Sequence, residues 1–198
     1  MKALLLSMLL LVNGSIINPH TVVKTSRETS LNVDKSESRV TWHAEKMTGT
    51  HDGTINVYWG KLNFRDKKLL GGFILIDMQS IKVTDLQSPD KEKLEANLKG
   101  DNFFDTGRFT VARFDITGII YADAKDQRKI IIEGNLNLHG VTKKISFKTG
   151  IQKSTGAEFV AVADAEINRR DWNVATENFK YNHFISPTIK LHIALKAA

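Results

Sequence analysis

Residues 134–147 read Gly134-Asn135-Leu136-Asn137-Leu138-His139-Gly140-Val141-Thr142-Lys143-Lys144-Ile145-Ser146-Phe147. Apolar residues alternate into this stretch at Ile130, Ile132, Leu136 and Leu138, and alternation resumes beyond it at Val141, Ile145, Phe147 and Ile151. A tight turn at His139-Gly140 separates the two arms. Period two on both sides of a Gly-containing turn is the pattern of a β-hairpin with one buried face.

The same pattern recurs outward from this hairpin. A first strand is expected at Arg39–Lys46, with Val40, Trp42 and Ala44 on one face. A second runs Thr54–Phe64, where Ile55 and Val57 lie on one parity and Leu62 and Phe64 on the other. A one-residue bulge near Trp59-Gly60 would put both pairs inside. The third, Leu70–Val83, is apolar on both parities at Phe73-Ile74-Leu75-Ile76, which asks for cover on its outer face. The chain's only helical segment, Ser88–Lys99, follows and is assigned that role. Ser88 suits an N-cap, Pro89 the first helical position and Gly100 the end, and Leu94 and Leu98 share a face. Phe103 and Phe104 then stand in a polar loop as a plug or cap. A fourth strand, Thr110–Tyr121, points Phe114, Ile116 and Ile120 inward. The hairpin supplies strands five and six. A seventh, Ala157–Asn168, carries Phe159, Ala161, Ala163, Ala165 and Ile167 on one side, and an eighth, Thr188–Lys196, alternates through Ile189, Leu191, Ile193 and Leu195. A long loop, Arg169–Pro187, carries Trp172, Phe179, Tyr181 and Phe184.

This predicts an all-β fold, an eight-stranded antiparallel barrel with one helical insertion between strands three and four. Two features favour a hollow barrel over a two-sheet sandwich. The inward alanines of strand seven leave space, and ten-residue strands span roughly 33 Å, more than a compact core needs.

The 198 residues suit one domain. Cysteine is absent, which removes disulfides, thiolate metal sites and a Cys nucleophile. The net charge of +6 comes from scattered lysines without basic–aromatic interleaving. That reads as a solvated surface with mild attraction to anionic headgroups, and not as a nucleic-acid site. Residues 1–15 read as a signal peptide: Lys2 leads an apolar run, Ala3–Val12, and Asn13-Gly14-Ser15 offers small residues for cleavage. The run is about half of what a membrane span requires. The expected organisation is a signal peptide at 1–15, a flexible lead-in at 16–36 with room for a short strand at Leu31-Val33, and a barrel domain at 37–198. An exported protein follows, periplasmic or secreted.

Several short motifs then occur in order. They are Ser38-Arg39-Val40-Thr41-Trp42, Gly53-Thr54-Ile55, Gly71-Gly72-Phe73-Ile74-Leu75-Ile76-Asp77-Met78-Gln79-Ser80-Ile81, Leu98-Lys99-Gly100-Asp101-Asn102-Phe103-Phe104-Asp105, Phe114, the hairpin from Leu136 to Lys143, and Ile167-Asn168-Arg169-Arg170-Asp171-Trp172-Asn173-Val174. Together they resemble the YceI-like family, from about Leu31 to the C-terminus. Phe109-Thr110 stands where that family usually carries Tyr-Pro. The resemblance implies a lipocalin-like barrel, typically periplasmic, that binds a polyisoprenoid or related lipid as carrier, store or sequestering protein. Under that reading Trp42, Ile74, Ile76, Phe114, Ile116, Leu136, Leu138, Phe147, Phe159, Ala161, Ala163, Ile167 and Leu191 are the candidate ligand-binding residues. For each of them plain core packing is the alternative.

Polar candidates are sparse. His139 is read as a turn residue bonding local backbone, with a ligand head group as the alternative. Arg169, Arg170 and Asp171 are read as an Arg–Asp brace of the loop, with pyrophosphate binding as the alternative. His43, His51 and Asp52 lie close together but lack a third strong ligand at metal-site spacing. Asp77 and Asp115 are read as solvated or turn-bracing groups. No nucleophile–base motif occurs, so no catalytic residue, cofactor or metal is expected. The partners are a long-chain isoprenoid or other lipid, with transient contact to a membrane surface, for a monomer or homodimer. An enzyme acting on such a lipid through His139 or Asp171, and a filled barrel that binds a protein partner, are the alternatives.

Overall fold

A computed structural model describes residues 26–121, 127–175 and 184–198. Among them nine strands follow in order: β1 (Glu28–Asn32), β2 (Arg39–Lys46), β3 (Gly49–Arg65), β4 (Lys68–Val83), β5 (Val111–Tyr121), β6 (Lys129–Leu138), β7 (Val141–Ser154), β8 (Phe159–Asn168) and β9 (Ile185–Ala197). One helix, α1 (Asp90–Lys99), lies between β4 and β5, and a 3-10 turn, Arg169–Trp172, follows β8. The neighbours run β1-β3-β2-β9-β8-β7-β6-β5-β4, and β3 also pairs with β4, so the sheet closes on itself.

Nine strands make eight wall positions. β1 pairs with the end of β3 (Glu28 opposite Arg65, Asn32 opposite Lys61), and β2 pairs with its start (Val40 opposite Ile55, Lys46 opposite Gly49). Both run in the same direction, so they are two parts of one wall position, interrupted by a turn in which Ser38 N–H donates to the Asp34 carbonyl. The wall therefore begins at Glu28, inside the stretch expected to be a flexible lead-in. Glu28, Thr29, Ser30 and Asn32 hide the strand from a hydropathy reading; only Leu31 and Val33 are buried. The expected signal peptide, and the lead-in before residue 26, lie outside the described residues.

The His139-Gly140 hairpin forms as read. Both residues have positive φ, 50° and 75°, which is the conformation of a two-residue type I′ turn. Leu138 pairs with Val141, and Ile132 with Phe147. The bulge expected near Trp59 is present as a register shift between Val57 and Trp59, and it leaves Val57, Leu62 and Phe64 all buried. A second shift, between Ile116 and Gly118, was not legible. It moves Ile119 to the inside and turns Ile120 outward, where it is about half exposed, so Ile120 is not an inward residue.

The helix does not cover the outer face of β4. The outward Phe73 is covered instead by Trp59, edge-on at 5.1 Å between ring centres, and by the Arg113 guanidinium 4.3 Å above the ring. α1 starts at Asp90, with Pro89 in the cap position, so Ser88 is not the N-cap; its hydroxyl bonds the Glu92 carboxylate. Gly100 ends the helix by donating to the Ala96 and Asn97 carbonyls. The helix sits at the end of β4, where Glu95 accepts the Val83 N–H at 2.9 Å. That end of the barrel, with the β2–β3 and β6–β7 turns and the start of β9, is the upper end.

Gly72 sits at a close approach of the two backbones in the β3–β4 seam. Its φ is 142°, and a Cβ there would lie 2.2 Å from the Lys61 carbonyl oxygen. Gly72→Ala should therefore cost about 2–4 kcal/mol, from backbone strain and overpacking together. Urea unfolding should show a lower midpoint with an unchanged slope.

Candidate functional site

The interior divides into two halves along the barrel axis. The lower half is filled. Phe64 and Phe159 pack ring to ring at 5.3 Å, each about 1% exposed, among Leu62 and Ile130. One tier up, Phe114 meets Phe147 at 5.5 Å. The Phe114 ring packs against Gly134, where a Cβ would come within 2.3 Å of it. The upper half holds a cavity of about 600 Å³, within the range of small-molecule sites.

Its wall comes from inward positions of the strands: Trp42 and Ala44 of β2, Ile55 of β3, Ile76, Met78 and Ile81 of β4, Ala112 of β5, Leu136 and Leu138 of β6, Ile167 of β8, and Ile189 and Leu191 of β9. Leu94 and Leu98 of α1 border it from above with Phe103 and Phe104. The two phenylalanines and the helix thus stand together over part of the upper end.

Of the thirteen candidate residues, Trp42, Ile76, Leu136, Leu138, Ile167 and Leu191 border this cavity. The other seven are not among its wall residues. Phe114 and Phe147 form the tier beneath it, and Phe159 the tier below that. Ala161 and Ala163 pair with Leu195 and Ile193 in the lower wall. Ile74 and Ile116 are half-buried and pack against the core. The inward alanines therefore do not mark the hollow. Val40, Ala44, Ile55, Met78, Ile81, Ala112, Ile189 and the helical leucines also stand in the wall, and strand alternation placed several of them inward without indicating which level of the barrel they occupy.

No residue of β7 is in the wall. β7 pairs with β8 only from Lys148 onward, opposite Asp164. The upper parts of the two strands diverge, and the segment Arg169–Ala175 packs there, with Trp172, Val174 and Ala175 buried. Two bonds lock it to the hairpin: Trp172 Nε1 donates to the Leu136 carbonyl at 3.1 Å, and His139 Nδ1 donates to the Trp172 carbonyl at 3.0 Å. His139 thus bonds backbone, as its turn position suggests, but backbone 33 residues away. Its ring also meets Phe109 edge-on at 4.7 Å.

Arg169 is 2% exposed and holds the loop that follows. Nη1 donates to the Val174 and Ala175 carbonyls at 2.9 and 2.7 Å; Nε and Nη2 reach the Ser186 and Ile185 carbonyls at 3.1 and 3.0 Å. The brace is thus made to carbonyls on both sides of the loop, and Asp171 is exposed. Burial, and then the Arg170 charge, lower the guanidinium pKa. Phe179 and Tyr181 of the same loop lie outside the described residues.

His43 and His51 stand on opposite faces of the sheet. His51, opposite Ala44, borders the cavity, whereas His43 pairs with Asp52 at 2.8 Å on the outside. One ion cannot be reached from both, so this cluster is not a metal site. His51 Nδ1 bonds Asp85 Oδ2 at 2.8 Å, and Asp85 Oδ1 accepts the Asp52 N–H at 3.0 Å. Burial acts to raise the Asp85 pKa, but these hydrogen bonds outweigh it and hold the carboxyl below its usual value. Asp115 accepts Arg113, and Asp77 accepts the Gln79 N–H, so both brace the outer wall.

A closed antiparallel barrel with an apolar interior cavity belongs to the class of barrels that can hold one small ligand. Residues 31–197 match the YceI-like domain, and the chain belongs to that family. It is 27% identical over 112 residues to a UPF0312 protein of Vibrio campbellii, covering 57% of this chain and 51% of the relative. A UPF0312 protein of Shewanella denitrificans is 31% identical over 96 residues, 48% of this chain and 47% of that one. The chain thus spans about half the length of the curated relatives it matches. Among solved structures, Burkholderia cenocepacia BcnA aligns with a TM-score of 0.67 at 20% identity, over 84% of this chain and 99% of the other. A polyisoprenoid binding domain from Saccharophagus degradans aligns with a TM-score of 0.62 at 15% identity, over 84% and 97%. At these identities the likeness is one of fold.

Two outcomes follow. Arg169→Lys should destabilise by about 3 kcal/mol or more, because a compact ammonium cannot satisfy four carbonyls that lie in different directions. Hydrogen exchange should accelerate first at residues 169–175 and 185–186. The lowered pKa of Asp85 gives stability that is present above the ordinary carboxylate range and is lost as pH falls through the folded value. Asp85→Asn should lower stability at neutral pH and flatten its decline below about pH 4, as read by thermal melts across pH.

Proposed function

We propose that this protein binds a long apolar molecule, a polyisoprenoid or related lipid, within the barrel and acts as its carrier, store or sequestering protein. The observation that carries this reading is the 600 Å³ cavity, walled by aliphatic and aromatic side chains and closed at one end by packed rings. Its polar groups stand among the upper segments: Glu45, Lys46, Thr48, His51, Asn97, Arg169 and Ser186. Such a site suits a chain with an apolar body and a small polar end. Each buried CH₂ contributes about 0.8 kcal/mol, so a chain filling the cavity offsets an association cost of roughly 4–15 kcal/mol. Membership of the YceI-like family, and the description of the Saccharophagus degradans neighbour as a polyisoprenoid binding domain, support the same reading. They favour a binding protein over an enzyme. In this proposal the protein is exported to the periplasm, with residues 1–15 removed, and exchanges its ligand at a membrane surface as a monomer or homodimer.

Organic extraction of the purified protein followed by mass spectrometry should release a long-chain lipid. A protein that yields none, and that takes up none when lipid is added, rejects the proposal. Ala44→Phe, which places a ring in the cavity, should weaken uptake of an apolar fluorescent probe at least tenfold while circular dichroism stays unchanged. Ala163→Phe serves as the contrast: it loads the packed lower wall, so its effect should fall on stability.

A further inference from the structure

The cavity ends abruptly, and it ends at a layer of rings. Ile76 and Ala112 are opposite each other in the β4–β5 pairing, and both border the cavity. The next inward pair down the same strands, Ile74 opposite Phe114, is not in its wall. The same step occurs from Ile55 to Val57 on β3 and from Leu191 to Ile193 on β9. Phe114 occupies this level, packed against Gly134 with its ring centre 5.5 Å from that of Phe147, and the Phe64–Phe159 pair fills the level beneath. A bound chain therefore has no way downward. Any length beyond the cavity must leave through the upper end.

The volume sets the length. At roughly 30 Å³ per heavy atom, the share of a water molecule in the liquid, 600 Å³ accommodates about twenty atoms. We infer that this barrel is a length-selective site for apolar chains of about twenty carbons, four isoprene units, and that Phe114, backed by Phe147 and seated on Gly134, is the floor that sets the limit. The inference rests on the proposed lipid-binding reading and narrows its ligand class. A chain of eight or nine units would leave about half its carbons outside the barrel. Each carbon transferred out of an apolar phase into water weakens binding up to about fourfold.

Prenyl alcohols of two to six isoprene units, presented together in non-ionic detergent micelles, compete for the purified protein, and native mass spectrometry reads which are bound. From a common micellar phase, an alcohol that fits exchanges one apolar environment for another, whereas one that overshoots exposes its tail. Loading should stay level through four units and fall at least tenfold by six. Phe114→Ala lowers the floor and should move the fall up by about one unit. Ala112→Phe raises the floor by placing a ring in existing space, and should move it down by about one unit. The second variant removes no packing, so it keeps the test open if Phe114→Ala fails to fold. Level loading through six units, or a fall that neither folded variant moves, overturns the ruler and leaves lipid binding standing. No alcohol bound at any length overturns both.

Discussion

A sheet that closes on itself has to bend, and in this barrel the bending is concentrated where β3 meets β4. β3 spans the full height of the wall: β2 pairs with its upper part, β1 with its lower part, and β4 follows it on the other side. Three register shifts interrupt the β3–β4 ladder, between Thr54 and Asn56, Val57 and Trp59, and Asn63 and Phe64. Each shift adds twist and bend to the strand. The shift between Val57 and Trp59 resets which side chains of β3 face inward, which is why Ile55 and Val57, and then Leu62 and Phe64, all end up inside despite their opposite parity. Closure at this seam fixes the cross-section that the side chains must then fill or leave open.

The two halves of the barrel answer that demand differently. Below, four phenylalanines in two tiers fill the cross-section. Above, Ala44, Ala112 and several branched aliphatics stand in the wall beside Trp42 and Met78 and leave the interior open. The upper half also lacks β7–β8 pairing, and the Arg169–Ala175 segment stands in for it. Across that join Trp172 donates to the Leu136 carbonyl and its own carbonyl accepts from His139, so the hairpin and the loop are positioned together. The cavity therefore lies where the wall is assembled from several segments instead of one continuous ladder.

The parts legible in the sequence were those that period two encodes. The His139-Gly140 hairpin, the bulge at Trp59 and the helix before β5 all follow from alternation, turn chemistry and capping residues. What alternation cannot encode is height. It separates inside from outside, but Phe159, Ala161 and Ala163 alternate as cleanly as Ile167 on the same strand, and only Ile167 borders the cavity. Other misses have local causes. β1 is held by backbone pairing along a polar sequence. Ile120 turns outward because of a bulge at Gly118, which leaves no hydropathy signal. Phe73 is covered by Trp59 and Arg113, distant in sequence, and the helix stands at the upper end instead.

The chemistry of the upper end bears on what such a cavity can discriminate. Backbone groups within a ladder are already paired, so strands can wall an apolar cavity at little polar cost. Loop segments cannot, because their carbonyls need donors when they are buried. Arg169 supplies four such donations to Val174, Ala175, Ile185 and Ser186. A buried cation at a cavity wall invites assignment as an anion-binding group, yet these bonds already direct its donors into the protein. His51 is likewise engaged at Nδ1 by Asp85. Polar groups committed to holding the upper segments in place contribute less selectivity for a head group. Discrimination then falls to the apolar part of the site, where shape and depth vary most sharply at the step from Ala112 to Phe114.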